Sequence, residues 1–85
     1  MDLNAVQMLI KVAECKSFTQ AANQLATSQS RISRTIAQLE TELGVRLLHR
    51  NTRNVSLTPD GCELVDRCTP LICGLEDARN LLLDR

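Results

Sequence analysis

The chain has 85 residues, and its ten basic and ten acidic side chains give a net charge of zero. A chain this short forms one small domain at most, in which only about 60–65% of the unfolded surface is buried. Phe18 is its single aromatic residue, which argues against single-stranded nucleic acid and most RNA partners, because their binders stack bases on aromatic rings. With three glycines, two prolines and long stretches favourable to helix, the composition predicts a mainly helical fold. The amino-terminal stretch fits neither a secretory signal nor a membrane span, so we expect a cytoplasmic protein.

The charges are unevenly distributed along the chain. Residues 27–58 carry five arginines against two glutamates, a surplus of three positive charges. Residues 59–85 carry six acids against three arginines, a deficit of three. A basic middle segment followed by an acidic one predicts a face that attracts a polyanion while the rest keeps the protein soluble.

The reactive side chains form no pattern that indicates catalysis. Four cysteines occur without a C-x-x-C pair, and His49 is the single histidine. This spacing favours small buried apolar residues; a redox role or, less readily, a metal site is the alternative. Without a Gly-rich phosphate loop or a nucleophile and base set, the sequence indicates neither an enzyme nor a metal or cofactor in this domain. The cysteines are Cys15, Cys62, Cys68 and Cys73.

The first predicted element is an amphipathic helix that ends near Cys15. Apolar residues recur in it at steps of three and four, and either Asp2 or Asn4 can cap it. The predicted core face consists of Leu3, Val6, Ile10 and Ala13.

A short second helix and a tight turn follow. Ser17 is a predicted N-cap, and Gln20 three residues later completes a capping-box pattern. After about two turns, Thr27 and Ser28 are candidate caps for a third helix. A short helix, a polar turn and a longer amphipathic helix are typical of the helix-turn-helix motif.

The third predicted helix has two distinct faces and ends at Gly44, a natural C-terminal residue for a helix. Its apolar stripe covers about 60° of the helix and consists of Ile32, Ile36, Leu39 and Leu43. The opposite, polar face consists of Gln29 at the tip, Ser30, Ser33 and Arg34.

A small hairpin is predicted next, because the apolar runs VRLL and VSL flank the polar stretch HRNTRN. We expect its tip to hold Arg50 and Arg53, with Asn51 and Asn54 as turn formers. His49 is expected at the surface or as support for the hairpin.

Thr58 and Pro59 match the cap and first position of a last helix, whose apolar seam has heptad-like spacing and requires a partner. Pro70 predicts a bend or two stacked segments within it. The chain stops in this helix without a terminating signal, as though cut from a longer polypeptide. The seam, predicted to form a homodimer, consists of Leu64, Cys68, Leu71, Leu75, Ala78 and Leu82.

The polar face of the third helix has the chemistry to enter the major groove of duplex DNA. Arg34 can pair with guanine and Gln29 with adenine, while the serines suit phosphates or base edges. Arg31 and Arg50 are predicted phosphate contacts, and Arg53 suits the minor groove. The full predicted DNA-binding set is Thr27, Ser28, Gln29, Ser30, Arg31, Ser33, Arg34, Arg50 and Arg53. The alternative is a protein-interaction or dimerisation module that uses the same fold without binding DNA.

The stretch SFTQAANQLATSQSRISRTIAQLETELGVRLLHRNTRNVSLTPDG resembles the amino-terminal winged helix-turn-helix domain of the LysR-type transcriptional regulators. It matches the family pattern S-F-x-x-A-A, S-Q-S-x-x-S-x-x-I-x-x-L-E-x-x-L-G-x-x-L and L-T-x-x-G almost position for position. The resemblance implies a DNA-binding domain over residues 1–58 and a dimerising linker helix over residues 59–85. It also implies a further domain that binds a small-molecule effector, and a tetramer acting on an interrupted palindrome. By position, Gln29, Ser33 and Arg34 match major-groove contacts and Arg53 the wing arginine.

Overall fold

The computed structural model describes residues 1–50 and 55–85, with the backbone alone of Arg50. Its described part is mainly helical, with a two-stranded antiparallel sheet after the third helix and a long helix at the end, so the predicted fold class is confirmed. The elements are α1 (Leu3–Cys15), α2 (Phe18–Leu25), α3 (Gln29–Leu43), β1 (Leu48–Arg50), β2 (Val55–Leu57) and α4 (Pro59–Leu83).

Side-chain caps define where the first three helices begin. Asp2 caps α1, Ser17 caps α2 and Ser28 caps α3, each by accepting a hydrogen bond from a backbone N–H two or three residues further on. These bonds satisfy N–H groups that have no partner within the helix. At the carboxyl ends of α1 and α2, Lys16 and Ala26 adopt left-handed backbone conformations, which nothing in the sequence indicated.

The core face of α1 is offset from the predicted one. Val6 is buried as expected, but Leu3 is 46% exposed, and Ile10 and Ala13 are half-buried. Steps of three and four can be drawn in more than one way through a helix this rich in apolar residues, and packing against α2, α3 and α4 selects one of them. The buried residues of α1 are Ala5, Val6, Leu9 and Val12.

The predicted stripe of α3 is confirmed except at its end. Ile32, Ile36 and Leu39 are buried, whereas Leu43 is exposed in the last turn of the helix. The chain turns at Gly44, whose φ of 72° is the left-handed conformation that favours glycine. The next core residues along the chain are Leu47 and Leu48, which return to the interior after this turn.

The hairpin is confirmed at its two strands, which pair Leu48 with Leu57 and Arg50 with Val55. The first strand begins at Leu48, so most of the predicted run VRLL precedes it, and His49 is exposed within it. Arg50, also predicted at the tip, is instead the last residue of β1. The other predicted tip residues, Asn51, Arg53 and Asn54, lie outside the described residues.

The last helix runs without interruption from Pro59 to Leu83, so the alternative of two stacked segments is wrong. Pro70 removes one backbone donor, but the surrounding backbone stays helical and Ile72, two residues later, is buried in the core. A bend at Pro70 stays a prediction.

The expectation of four buried cysteines is wrong for two of them. Cys62 and Cys73 are exposed on α4, while Cys15 and Cys68 are half-buried against the core. All four are free thiols. A helix that packs on the domain along one side leaves its other side in solvent, whatever the polarity of the residues there.

Candidate DNA-binding interface

Two side-chain hydrogen bonds hold the amino-terminal turn of α3, one to the residue before the helix and one to α2. The Ser28 hydroxyl accepts the backbone N–H of Arg31 at 3.1 Å and so fixes where the helix starts. The side chain of Gln29, the first residue of α3, donates from Nε2 to Oγ1 of Thr19 on α2 at 2.9 Å. The start of α3 is therefore tied to α2 by side chains as well as by the turn between them.

The predicted DNA-binding residues of this region lie in the turn before α3 and in the first two turns of that helix. Ser28, Gln29, Ser30, Arg31 and Arg34 are exposed. Two further members of the set, Thr27 and Ser33, are half-buried beside them. The opposite side of the same helix is closed by the core, so the exposed turn is a polar surface on a rigid support.

The positive end of the α3 dipole adds to this surface. A helix amino terminus offers backbone N–H groups and about half a positive charge, which favours phosphate oxygens. Arg31 and Arg34 lie within its first two turns, and the arginine guanidinium suits both phosphate and guanine. The arrangement can hold a phosphate backbone and present side chains to base edges.

The structure does not describe the side chains of two predicted DNA contacts, Arg50 and Arg53. Arg50 is the last residue of β1 and pairs with Val55 through its backbone, but its side chain lies outside the described part of the structure. Arg53 also lies outside it.

A buried carboxylate that we did not predict connects α3 to residues 46–48, which we call the hairpin root. Glu40 is only 8% exposed, and its Oε2 accepts the backbone N–H groups of Leu47 at 2.8 Å and Leu48 at 3.3 Å. Arg46 lies 3.5 Å from the same oxygen through Nε. Glu40 therefore positions the start of β1 relative to α3. The sequence did contain a signal for this role, because Glu40 is an acidic residue at the edge of the apolar stripe, directly after Leu39.

The start of α4 holds the same root from the other side. Thr58 donates its hydroxyl to the carbonyl of Arg46 at 2.6 Å, and its backbone N–H donates to the carbonyl of Leu47 at 3.0 Å. Gly61 lies so close to Leu47 that a Cβ at this position would collide with the carbonyl oxygen. The T-P-D-G stretch thus packs the first turn of α4 onto the hairpin root, and only glycine fits there.

The predicted dimer seam on α4 divides into two parts. Leu64 and Cys68 are half-buried against the core of their own domain. Leu71 and Leu75 are 68% and 54% exposed. Ala78 and Leu82 complete the exposed part of the seam, and Leu81 and Leu83 are exposed beside it.

Within residues 1–50 and 55–85, His, Cys, Asp and Glu side chains form no group of three that could hold a metal ion. Over the same ranges, no helix is both long and apolar enough to cross a membrane.

A helix-turn-helix core, a two-stranded wing and a long helix after it define the winged helix-turn-helix class. The family model described as "Bacterial regulatory helix-turn-helix protein, lysR family" matches residues 3–62. The chain belongs to this family of transcriptional regulators, so the resemblance seen in the sequence is confirmed, as is the prediction that the chain is not an enzyme.

Two relatives show the extent of the similarity. A transcriptional regulator of Xanthomonas campestris is 42% identical over 79 residues, which cover 93% of this chain and 23% of the relative. A transcriptional repressor of Pseudomonas aeruginosa is 41% identical over 75 residues, 88% of this chain and 24% of the relative. The chain thus spans about a quarter of the length of these relatives.

Solved structures match the whole fold. The DNA-binding domain of BenM, crystallised with catB site 1 DNA, superposes with a TM-score of 0.90 at 33% identity, covering 99% of this chain and 93% of that one. The full-length virulence activator AphB of Vibrio cholerae superposes with a TM-score of 0.91 at 29% identity, covering 100% of this chain and 29% of AphB.

Proposed function

We propose that this chain is the DNA-binding domain of a LysR-type transcriptional regulator and binds duplex DNA sequence-specifically through the start of α3. The observation that carries the proposal is the exposed polar turn of α3, braced by α2 and closed behind by the core. The match to the DNA-bound BenM domain, over nearly the full length of both chains, supports it.

The residues divide into those that position the domain and those that read bases. Arg34 can donate two hydrogen bonds to guanine, and Gln29 can pair with adenine. Ser33 is the third member of the proposed reading set. Contacts from Thr27, Ser28, Ser30, Arg31 and Arg50 to phosphates would set the register of the domain on the duplex, and Arg53 would enter the adjacent minor groove.

We further propose that residues 1–58 form the DNA-binding unit and that α4, from residue 59, serves as the linker that pairs two subunits. The exposed leucines Leu71, Leu75 and Leu82 support this, because burying them in a partner removes apolar surface from water. The whole protein would act in the cytoplasm as a dimer or tetramer on an interrupted palindrome. A small-molecule effector would bind a further domain of the size that the relatives' length suggests.

Selection of bound duplexes from a random pool tests the proposal directly. We expect the chain to enrich one sequence, and Arg34→Ala to lose about 1–3 kcal/mol on that sequence and to relax the preference at one base pair. Arg34→Lys keeps the charge but not the forked geometry, so it should lose preference more than non-specific affinity. Arg67→Ala, which removes an exposed arginine from α4, is the matched control for loss of charge.

Salt dependence gives a second measure. For a dimer with several phosphate contacts on each subunit, affinity should fall on the order of 10³-fold between 50 and 200 mM salt. A flat salt response, or no enrichment from the random pool, would favour the protein-interaction alternative.

A further inference from the structure

The bond between Gln29 and Thr19 joins the proposed reading helix to the helix that braces it. Thr19 lies in the first turn of α2, and Gln29 is the first residue of α3. Both side chains are exposed, and the Nε2 to Oγ1 distance of 2.9 Å is that of a good hydrogen bond. Ser28 separately fixes the start of α3, so this bond acts mainly on the orientation of the Gln29 side chain.

The orientation of the Gln29 amide determines which of its donors and acceptors remain available for a base. A glutamine amide has two N–H donors and one carbonyl oxygen. Thr19 takes one donor, which leaves one N–H and the carbonyl oxygen of Gln29 for another partner. One donor beside one acceptor is the pair that matches N7 and the N6 amino group of adenine in the major groove.

Without Thr19, the Gln29 side chain would rotate among several rotamers and could present either end of its amide. Binding a base would then require this long side chain to be ordered at that moment, at a cost in conformational entropy. With the bond in place, the ordering precedes DNA binding. The saved entropy raises affinity more for a base pair that Gln29 can hydrogen-bond than for one that it cannot.

We propose that Thr19 is a specificity-determining positioning residue, which orients Gln29 to read one adenine-containing base pair without itself touching the base. This rests on the proposed DNA-binding function and on Gln29 as a reader. In this role α2 takes part in base recognition, whereas the sequence predicted only that it braces α3.

The hydroxyl of Thr19 has a competing use, because it is exposed and still carries its own hydrogen. A direct bond to a phosphate would raise affinity for every sequence equally. The two roles differ in what they change: positioning alters discrimination at one base pair, whereas a phosphate contact alters overall affinity.

A double-mutant cycle separates these roles. The variants are Thr19→Val, which removes the hydroxyl at nearly constant shape, Thr19→Ser, which keeps it, Gln29→Ala, and Thr19→Val combined with Gln29→Ala. Thr19→Ala is a second hydroxyl-free variant should valine disturb the helix, and circular dichroism checks that each variant folds. The base pair read by Gln29 is the one at which Gln29→Ala loses the preference that the unmodified chain shows in selection from random duplexes.

The measured quantity is the ratio of affinities for the preferred duplex and for a duplex changed at that one base pair. Loss of one hydrogen bond corresponds to a fall of about two- to tenfold in this ratio for Thr19→Val. Thr19→Ser should retain the ratio of the unmodified chain. In the Gln29→Ala background, Thr19→Val should cause no further change.

An unchanged ratio in Thr19→Val, or an equal loss of affinity for all duplexes, would overturn the positioning role. So would a change of the same size in the Gln29→Ala background, because Thr19 would then act independently of Gln29. A Gln29→Ala variant with unaltered preference overturns the inference as well, while sequence-specific binding by the unmodified chain still stands. Only the absence of any preference in the unmodified chain counts against the proposed function itself.

Discussion

The third and fourth helices carry apolar residues at the same helical steps, yet only the α3 stripe is mostly buried. In α3, Ile32 and Ile36 are fully buried where the helix packs against α1 and α2. In α4, Leu71 and Leu75 are more than half exposed. Helical spacing determines which residues share a face, but only packing determines whether that face is covered by the same chain. The α3 stripe therefore stabilises the domain, whereas Leu71 and Leu75 of the α4 stripe remain in solvent and contribute little to its stability.

The largest expected difference is in the stability of the single domain. Ile36→Ala should lower the free energy of unfolding by about 2–5 kcal/mol, because it leaves a cavity in the core. Leu75→Ala, the matched change on the other helix, should lower it by less than about 0.5 kcal/mol at protein concentrations where the chain is monomeric. Urea unfolding followed by circular dichroism measures both, and equal losses would contradict the contrast between the stripes.

A second expected effect lies at the edge of the α3 stripe, where Glu40 holds the hairpin root. Glu40→Ala should cost about 2–4 kcal/mol, because the N–H groups of Leu47 and Leu48 lose a charged acceptor in a buried place. Glu40→Gln should cost less, since its amide oxygen can still accept one of these bonds. Hydrogen exchange at the two amides would locate the change. Equal losses in both variants would show that the charge, rather than the acceptor geometry, matters.

The exposed α4 stripe should respond through assembly. Leu75→Glu is expected to leave the unfolding of the monomer nearly unchanged but to shift the protein from dimer to monomer in sedimentation. DNA affinity should fall with it, because two half-sites no longer act together. Leu81→Glu is the matched control, since Leu81 is exposed on the same helix but lies about 100° around it from the centre of the seam. A Leu75→Glu variant that stays dimeric would place the interface on another surface.

The smallest expected effect concerns the end of the α3 stripe, beside exposed Leu43. The amino group of Met1 lies 2.7 Å from Oε1 of Glu42, and this hydrogen bond and charge raise the pKa of the amine above its usual 8.0. A raised pKa means that the contribution to stability is fully present below pH 8 and is lost as the pH rises through the value in the folded protein. Glu42→Gln should return the pKa of the amine toward 8.0 in an NMR titration, and the stability change should be slight because the pair is exposed. An identical titration in both proteins would exclude the interaction in solution.

Local patterns in the sequence determined most of the elements. Ser17, Ser28 and Thr58 begin helices because a hydroxyl before an apolar stretch satisfies free N–H groups, an interaction between residues close in sequence. Gly44 ends α3 for an equally local reason, its freedom to adopt a positive φ. That Ser30 and Arg34 share one side of α3 followed from helical geometry, and their polarity indicated that this side lies in solvent.

The tertiary structure decided what depends on neighbours distant in sequence. It selected Leu9 and Val12 rather than Leu3 as the core of α1, and it left Cys62 and Cys73 in solvent. It also paired Glu40 with the hairpin root. Thr19 was brought to Gln29 in the same way, by the packing of α2 against α3. Such contacts form only when separate helices meet, because a helical period states which side chains share a face and contains no information about what that face will contact.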